Sequence, residues 1–289
     1  MLCNLCAKKC NKERTDVLAE GNCKMPLKIK IAHYELFQYE EPCISINKGS
    51  GAIFFSGCNL DCVFCQNYDI STKCKGKFIT INEFIDIIKE LENMGAENIN
   101  LVSPTHYALA IIQAFKIYKP KVPVIYNTNA YENIETIKSL SPYVDVFLPD
   151  FKYASNIISK QFSGVDDYCD VALKVIMCMR DLKTDIFAEN GKILQGVIIR
   201  HMILPLCTND SIKVLEIIKD CVPNTKVSLL AQYTPCGRAN EYKQINRKIT
   251  KREYDKVLNK YIELNLDGYV QDLTSSNKSF IPNFKFIDQ

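Results

Sequence analysis

A chain of 289 residues that is 47% hydrophobic and 24% charged is long enough to bury a sizeable core, which excludes a disordered chain and a small disulfide scaffold. Its net charge of +3 arises from 36 basic and 33 acidic residues scattered among one another, so no basic stripe argues for nucleic acid. Cysteine is the anomaly, with 14 residues in a chain that has no tryptophan.

The opening MLCNLCAKKCNKERTD is charged and lacks the apolar h-region of a signal peptide. Apolar stretches such as residues 197–207 are interrupted by Arg200, His201 and Pro205, far short of a membrane span. The reading is a cytoplasmic protein with no membrane segment, whose thiols serve metal or redox chemistry rather than disulfides. Cys3, Cys6, Cys10 and Cys23 follow the spacing C-x2-C-x3-C-x12-C in a segment too polar to have a core of its own. Four thiolates around zinc or an iron–sulfur cluster would let such a segment fold, with Cys43 a candidate replacement ligand.

Apolar, β-branched runs of strand length follow at residues 51–57, 97–103, 122–128, 143–149, 196–204 and 226–233. Helix-period segments lie between and after them, at 80–95, 105–118, 131–140, 154–183, 209–220 and 250–263. The clearest is 80–95, where Thr80 and Glu83 form a capping box and Phe84, Ile87, Ile88 and Leu91 form one stripe. Six β-α units in series predict an α/β protein with a parallel sheet, closed or partly closed into a barrel. Residues 1–45 read as a cysteine-rich extension, 46–265 as the barrel and 266–289 as a C-terminal arm without a strong period.

Each strand run gives way to polar groups at its C-terminal end, where such folds collect their functional residues. These are Cys58; Ser103 and His106; Asn127 and Asn129; Asp150 and Lys152; Arg200 and His201; Gln232 and Tyr233. Val144, Val146, Leu148, Asp150 and Lys152 share strand parity, so both charges project to one side. Arg200 and His201 are adjacent and face opposite sides, which sends one of them under the helices. His33 lies upstream of the barrel pattern and reads as structural. No G-x-S-x-G elbow or phosphate-binding loop occurs.

Directly after the first run comes 57-GCNLDCVFCQNYD, with Cys58, Cys62 and Cys65 in the spacing C-x3-C-x2-C. One short loop presenting three thiolates can wrap an iron–sulfur cube and leave one iron open. With Phe64 before the last cysteine, this loop resembles that of the radical S-adenosylmethionine superfamily. The motifs 42-PCIS, 49-GSGAIFFSGCNLDCVFCQNYDIS, 99-INLVSPTH, 125-IYNTNAY, 147-FLPDFKYA and 200-RHMILP resemble a branch grouped with pyruvate formate-lyase activating enzymes, over roughly residues 3 to 263.

The resemblance implies a partial (β/α)6 TIM-like barrel with a small N-terminal cysteine-rich segment. It also implies a [4Fe-4S] cluster on Cys58, Cys62 and Cys65 that binds S-adenosyl-L-methionine. Reductive cleavage then yields a 5′-deoxyadenosyl radical that abstracts hydrogen, with the fold supplying positioning. The cofactor-binding set it suggests is Phe64 beside the adenine, Asn67, and Ser103 or Thr105 in place of a Gly-Gly-Glu element. Asn127 stands at the ribose, with Lys152 in the same pocket oriented by Asp150. Arg200 faces the methionine carboxylate, and His106 contacts cofactor or substrate. The implied partners are an electron donor of the flavodoxin or ferredoxin type and a glycyl-radical enzyme as protein substrate, in an oxidoreductase or lyase reaction. A small-molecule or peptide substrate is the alternative reading, and a non-catalytic metal-binding protein the remote one. Cys74 alone follows the loop where some activating enzymes carry a cysteine-rich insert.

Overall fold

A computed structural model describes residues 2–276, so residues 277–289 of the C-terminal arm lie outside the described residues. The chain begins with an irregular segment, followed by β1 (Lys30–Phe37), β2 (Ser50–Phe55), the one-turn helix α1 (Tyr68–Ser71) and the two-residue strand β3 (Lys77–Phe78). Then come α2 (Ile81–Asn93), β4 (Ile99–Val102), α3 (Ala108–Ile117), β5 (Val124–Thr128), α4 (Ile134–Leu140) and β6 (Val146–Pro149). Helices α5 (Asn156–Ser163) and α6 (Tyr168–Leu182) precede β7 (Ile186–Phe187), β8 (Ile193–Met202), α7 (Thr208–Cys221) and β9 (Lys226–Leu230). The chain continues through α8 (Lys251–Glu263) to β10 (Gly268–Val270).

All six expected strand runs form strands. The capping box of α2 closes as well, with the Glu83 backbone N–H on the Thr80 hydroxyl and the Glu83 carboxylate accepting from the Thr80 N–H. The helical stretch expected over 154–183 is two helices, because Gly164 turns left-handed at φ 71° and ends α5.

One sheet runs in the order β10-β9-β8-β6-β5-β4-β2-β1-β3, with β7 paired to β8. Strands β2, β4, β5, β6, β8 and β9 are parallel neighbours in chain order, the pattern of right-handed βαβ crossovers. β10 adds a further parallel strand beside β9, while β1 is antiparallel to β2 at the other edge. β1 and β10 do not pair, so the barrel is open, a partial (β/α)6 barrel. Four strands outside the six expected runs also join the sheet: β1 within residues 1–45, the two-residue β3 and β7, and β10 at the start of the arm, where a short strand is one reading of the sequence.

Strand alternation divides the core between the two faces of the sheet, with a further small cluster of Ala32, Ala52, Phe54, Ile70 and Val102. Ile53, Leu101, Tyr126, Phe147, Val197, Ile199 and Val227 pack in the cluster shared with the helices. On the opposite face, Cys43, Ile44, Ile125, Val146, Leu148, Ile193 and Ile198 form a separate apolar cluster. The segment between β1 and β2 thus threads into the barrel and plugs its lower end. Above that plug polar inward positions alternate with apolar ones such as Phe54, Val102, Met202 and Leu230. Among the described residues no helix is long and apolar enough to cross a membrane.

Candidate active site

A cavity of about 640 Å³ opens above the plug, at the C-terminal ends of the parallel strands. The loop after β2 brings Cys58, Cys62 and Cys65 to its wall, together with Phe64 and Asn67. Ser103 after β4, Asn127 on β5, Asp150 and Lys152 after β6, Arg200 on β8 and Gln232 after β9 complete the expected ring. The parity argument for Asp150 and Lys152 holds: the Lys152 ammonium lies 2.6 Å from one Asp150 oxygen. Of the adjacent pair, Arg200 faces the cavity, and His201 turns away, bonding the Phe151 carbonyl through Nδ1 at 2.7 Å.

Thr105 and His106 are not at the cavity, contrary to the sequence expectation. Ser103 takes a left-handed backbone, φ 57°, and Thr105–Tyr107 form a single 3-10 turn that runs underneath. Thr105 donates to the buried Glu132 carboxylate at 2.6 Å, and His106 Nε2 bonds the Ser56 carbonyl at 2.7 Å. Of the proposed Ser103/Thr105 alternatives, Ser103 alone reaches the cavity. Burial depresses His106 to about 3 and His201 to about 4, so both imidazoles are neutral near pH 7. Tyr233 is also buried away from the cavity, its hydroxyl on the Ile245 carbonyl.

All 14 cysteines are free thiols. Burial raises all three loop thiols, Cys62 to about 11, while Lys152 lowers each of them by its charge. The Ser163 hydroxyl lies 2.9 Å from Cys62 Sγ and the Ser71 hydroxyl 3.2 Å from Cys65 Sγ. Asn129 Nδ2 donates to Cys58 Sγ at 3.4 Å. Three free thiols from one loop, each with a polar partner and a nearby cation, form a donor set that fits an iron–sulfur cube with one iron left open. Among the described residues no three His, Cys, Asp or Glu side chains are arranged around a single ion.

The cavity also holds a charge network that sequence reading missed in part. Arg200 donates to Asp150 at 3.0 Å, to Asn127 Oδ1 at 2.5 Å and to Glu40 at 3.4 Å. Glu40 also accepts from Asn100 at 2.7 Å. Burial works against the charge on Asp150, yet Lys152 and Arg200 hold its carboxyl below the ordinary value. Burial dominates at Glu40 and pushes it up to about 7, with Arg200 pulling the other way. Glu40 and Glu41 come from the threaded segment, and the signal for them was the acidic pair immediately before 42-PCIS.

Phe64 is 4% exposed and meets Phe162 and Tyr233 edge-on, so most of the ring is packed and its remaining edge faces the cavity. Cys43 lies in the plug beneath the cavity, away from the other N-terminal cysteines, so it is not a substitute for one of them.

The sequence profile of the Radical SAM superfamily matches residues 52–187, the stretch from the loop strand to β7. An uncharacterized protein of Methanocaldococcus jannaschii is 31% identical over 280 residues, covering 92% of this chain and 75% of that one. The chain belongs to the radical S-adenosylmethionine superfamily. Streptococcus suis SuiB shares its fold at a TM-score of 0.55 and 16% identity, over 79% of this chain and 50% of SuiB. HydG, a maturase of the [FeFe]-hydrogenase, does so at 0.51 and 15%, over 74% of this chain and 49% of HydG. The chain therefore spans about half the length of these solved relatives. The superfamily is one of enzymes that typically use a [4Fe-4S] cluster and S-adenosylmethionine.

Proposed function

We propose that this radical S-adenosylmethionine protein generates a radical in the cavity and uses it to abstract hydrogen from a polypeptide substrate, the glycine of a glycyl-radical enzyme of the pyruvate formate-lyase type. The observation that carries the reading is the convergence of Cys58, Cys62 and Cys65 with Asn127, Asp150, Lys152 and Arg200 on one cavity. Cys58, Cys62 and Cys65 would hold a [4Fe-4S] cluster. When bound, the cluster and S-adenosyl-L-methionine supply one low-potential electron and a 5′-deoxyadenosyl radical, with the electron coming from a flavodoxin- or ferredoxin-type donor.

The chain's own work is positioning. Arg200 offers a guanidinium to the methionine carboxylate, and Asp150 fixes both Arg200 and Lys152. Ser103 offers a hydroxyl, Asn127 an amide for the ribose hydroxyls and Phe64 a ring edge for the adenine, with Asn67 beside it. The polar ring is closed from below by the apolar plug, which excludes water from that side. SuiB has been crystallised with a precursor peptide, SuiA, and with S-adenosylmethionine, which supports a polypeptide substrate in this fold.

A second reading, a small charged molecule or free peptide, is favoured by the acidic floor at Glu40 and Glu41. Anaerobic reconstitution followed by reductant and S-adenosylmethionine tests the common core. 5′-Deoxyadenosine forms in the wild type and is lost in Cys62→Ala; an intact, reduced cluster that yields none refutes the enzyme reading. Deuterium transfer from an α-deuterated glycine on a candidate protein partner then separates the two substrate readings.

A further inference from the structure

The N-terminal four-cysteine element is left unused by the site above. Residues 2–28 contain neither helix nor strand, and Leu5 and Met25 are the large apolar residues they bury, while Leu2 and Val17 stand exposed. So little apolar burial does not order a segment of that length. It is nevertheless wound into a compact shape. Cys3 N–H bonds the Lys12 carbonyl and Asn11 N–H the Cys3 carbonyl, both at 2.9 Å, which folds the first cysteine back over the third.

Cys23 is the common neighbour of the other three thiols. Cys23 lies within electrostatic range of Cys3 and Cys10, and Cys6 within range of Cys23. The space over Gly21 is shared by Cys10 Sγ and Cys23 Sγ, 3.3 and 3.9 Å from where a Cβ would stand. None of the four is in a disulfide. A fully buried guanidinium, Arg14, donates to Cys3 Sγ at 3.3 Å and is held in place by the Met25, Pro26 and His106 carbonyls. A cation locked against a group of thiols compensates the negative charge that four thiolates carry when they ligate metal.

The element also has a specific neighbour. The Asn59 side chain lies within hydrogen-bonding reach of the Cys6 thiol, and its Oδ1 accepts from Cys58 Sγ at 3.7 Å. One amide thus bridges the N-terminal thiols and the first cysteine of the C-x3-C-x2-C loop. Zinc and an iron–sulfur cube both accept four thiolates, and it is the contact with the loop cysteine through Asn59 that favours a cluster able to exchange electrons with that loop.

We infer that Cys3, Cys6, Cys10 and Cys23 ligate a second iron–sulfur cluster, docked against the loop through Asn59 and charge-compensated by Arg14. The site stands whether or not the loop carries its own cluster, and the test separates the two. Anaerobic reconstitution with iron and sulfide is followed by iron, sulfide and zinc analysis and by electron paramagnetic resonance after dithionite reduction. The Cys58→Ala/Cys62→Ala/Cys65→Ala variant leaves the N-terminal element intact and is expected to keep about four irons per chain and a reduced-cluster signal. The Cys6→Ala/Cys10→Ala variant is expected to lose that share and keep the loop's. If the triple variant binds no iron, or one zinc in its place, the inference is overturned. If it holds its irons while the Cys6→Ala/Cys10→Ala variant holds none, the inference stands and the loop reading fails.

Discussion

Arg200 holds the cavity's acids together, and its removal can be put in numbers. Its side chain is 15% exposed, and its partners Glu40 and Asp150 are 9% and 23% exposed, so the cluster is largely dry. Arg200→Met leaves Glu40 and Asp150, with Glu41 beside them, and Lys152 as the remaining cation. Removing one partner from a buried ion cluster costs about 3–5 kcal/mol, and the lower end applies because Asp150 retains Lys152. Glu40→Gln keeps the oxygen that accepts from Asn100 and should cost about 1 kcal/mol or less. In the Glu40→Gln background, the Arg200→Met penalty should shrink by about 1–2 kcal/mol, since the charge left stranded is gone.

The pH dependence follows from Glu40. Its native carboxyl sits at about 7 against an ordinary 4.5, so native protein binds a proton there that the unfolded chain has released. The resulting contribution favours folding below about 4.5 and is lost as pH rises through 7. Without Arg200 the native carboxyl moves higher still, so the Arg200→Met penalty is larger at pH 8 than at pH 6. Urea unfolding of the apo, reduced proteins, followed by far-ultraviolet circular dichroism at both pH values, measures this. A penalty under 1 kcal/mol at pH 8, or one that Glu40→Gln leaves unchanged, refutes the reasoning.

Two further predictions concern the fold around the site. Glu253 caps α8 by accepting from the Thr250 N–H, binds the Leu206 N–H at 2.7 Å and takes two bonds from Arg247. Arg247 foremost lowers its carboxyl to about 2, so its stabilisation is present above the ordinary 4.5 and lost as pH falls through 2. Glu253→Ala should cost about 1–2 kcal/mol at pH 7 and nearly nothing near pH 2, read from thermal melts across that range. Gly268 begins β10 at φ 146°, and a Cβ there would stand 2.1 Å from the Val227 carbonyl oxygen. Gly268→Ala should destabilise by about 2–3 kcal/mol and loosen Tyr269 and Gln271 at the cavity wall, detected as faster amide exchange in β10.

What the sequence made legible was whatever a local period or spacing encodes. Strand alternation placed Asp150 and Lys152 on one side, and the C-x3-C-x2-C loop announced itself by its spacing. Thr105 and His106 were misplaced because one left-handed residue, Ser103, redirects the chain, and a non-glycine at positive φ carries no sequence signature of its own. Glu40 reaches Asn100 and Arg200 across 60 and 160 residues of sequence, a juxtaposition set by tertiary threading and invisible to any window. β10 has three residues, too few for a period, and owes its place to pairing with β9.

The plug beneath the cavity bears on how the molecule is assembled. Cys43 and Ile44 emerge early in synthesis, yet the partners that cover them, Ile125, Val146, Leu148, Ile193 and Ile198, follow some 80 to 155 residues later. The inner core cannot close on the N-terminal half alone, and contacts of such separation place the chain among slow, topology-limited folders. Until β8 arrives, the strand edges and the apolar face of the nascent sheet stay open. That interval is when a thiol-rich chain is most exposed to oxidation and mispairing, and Cys43 is sealed away only by its completion.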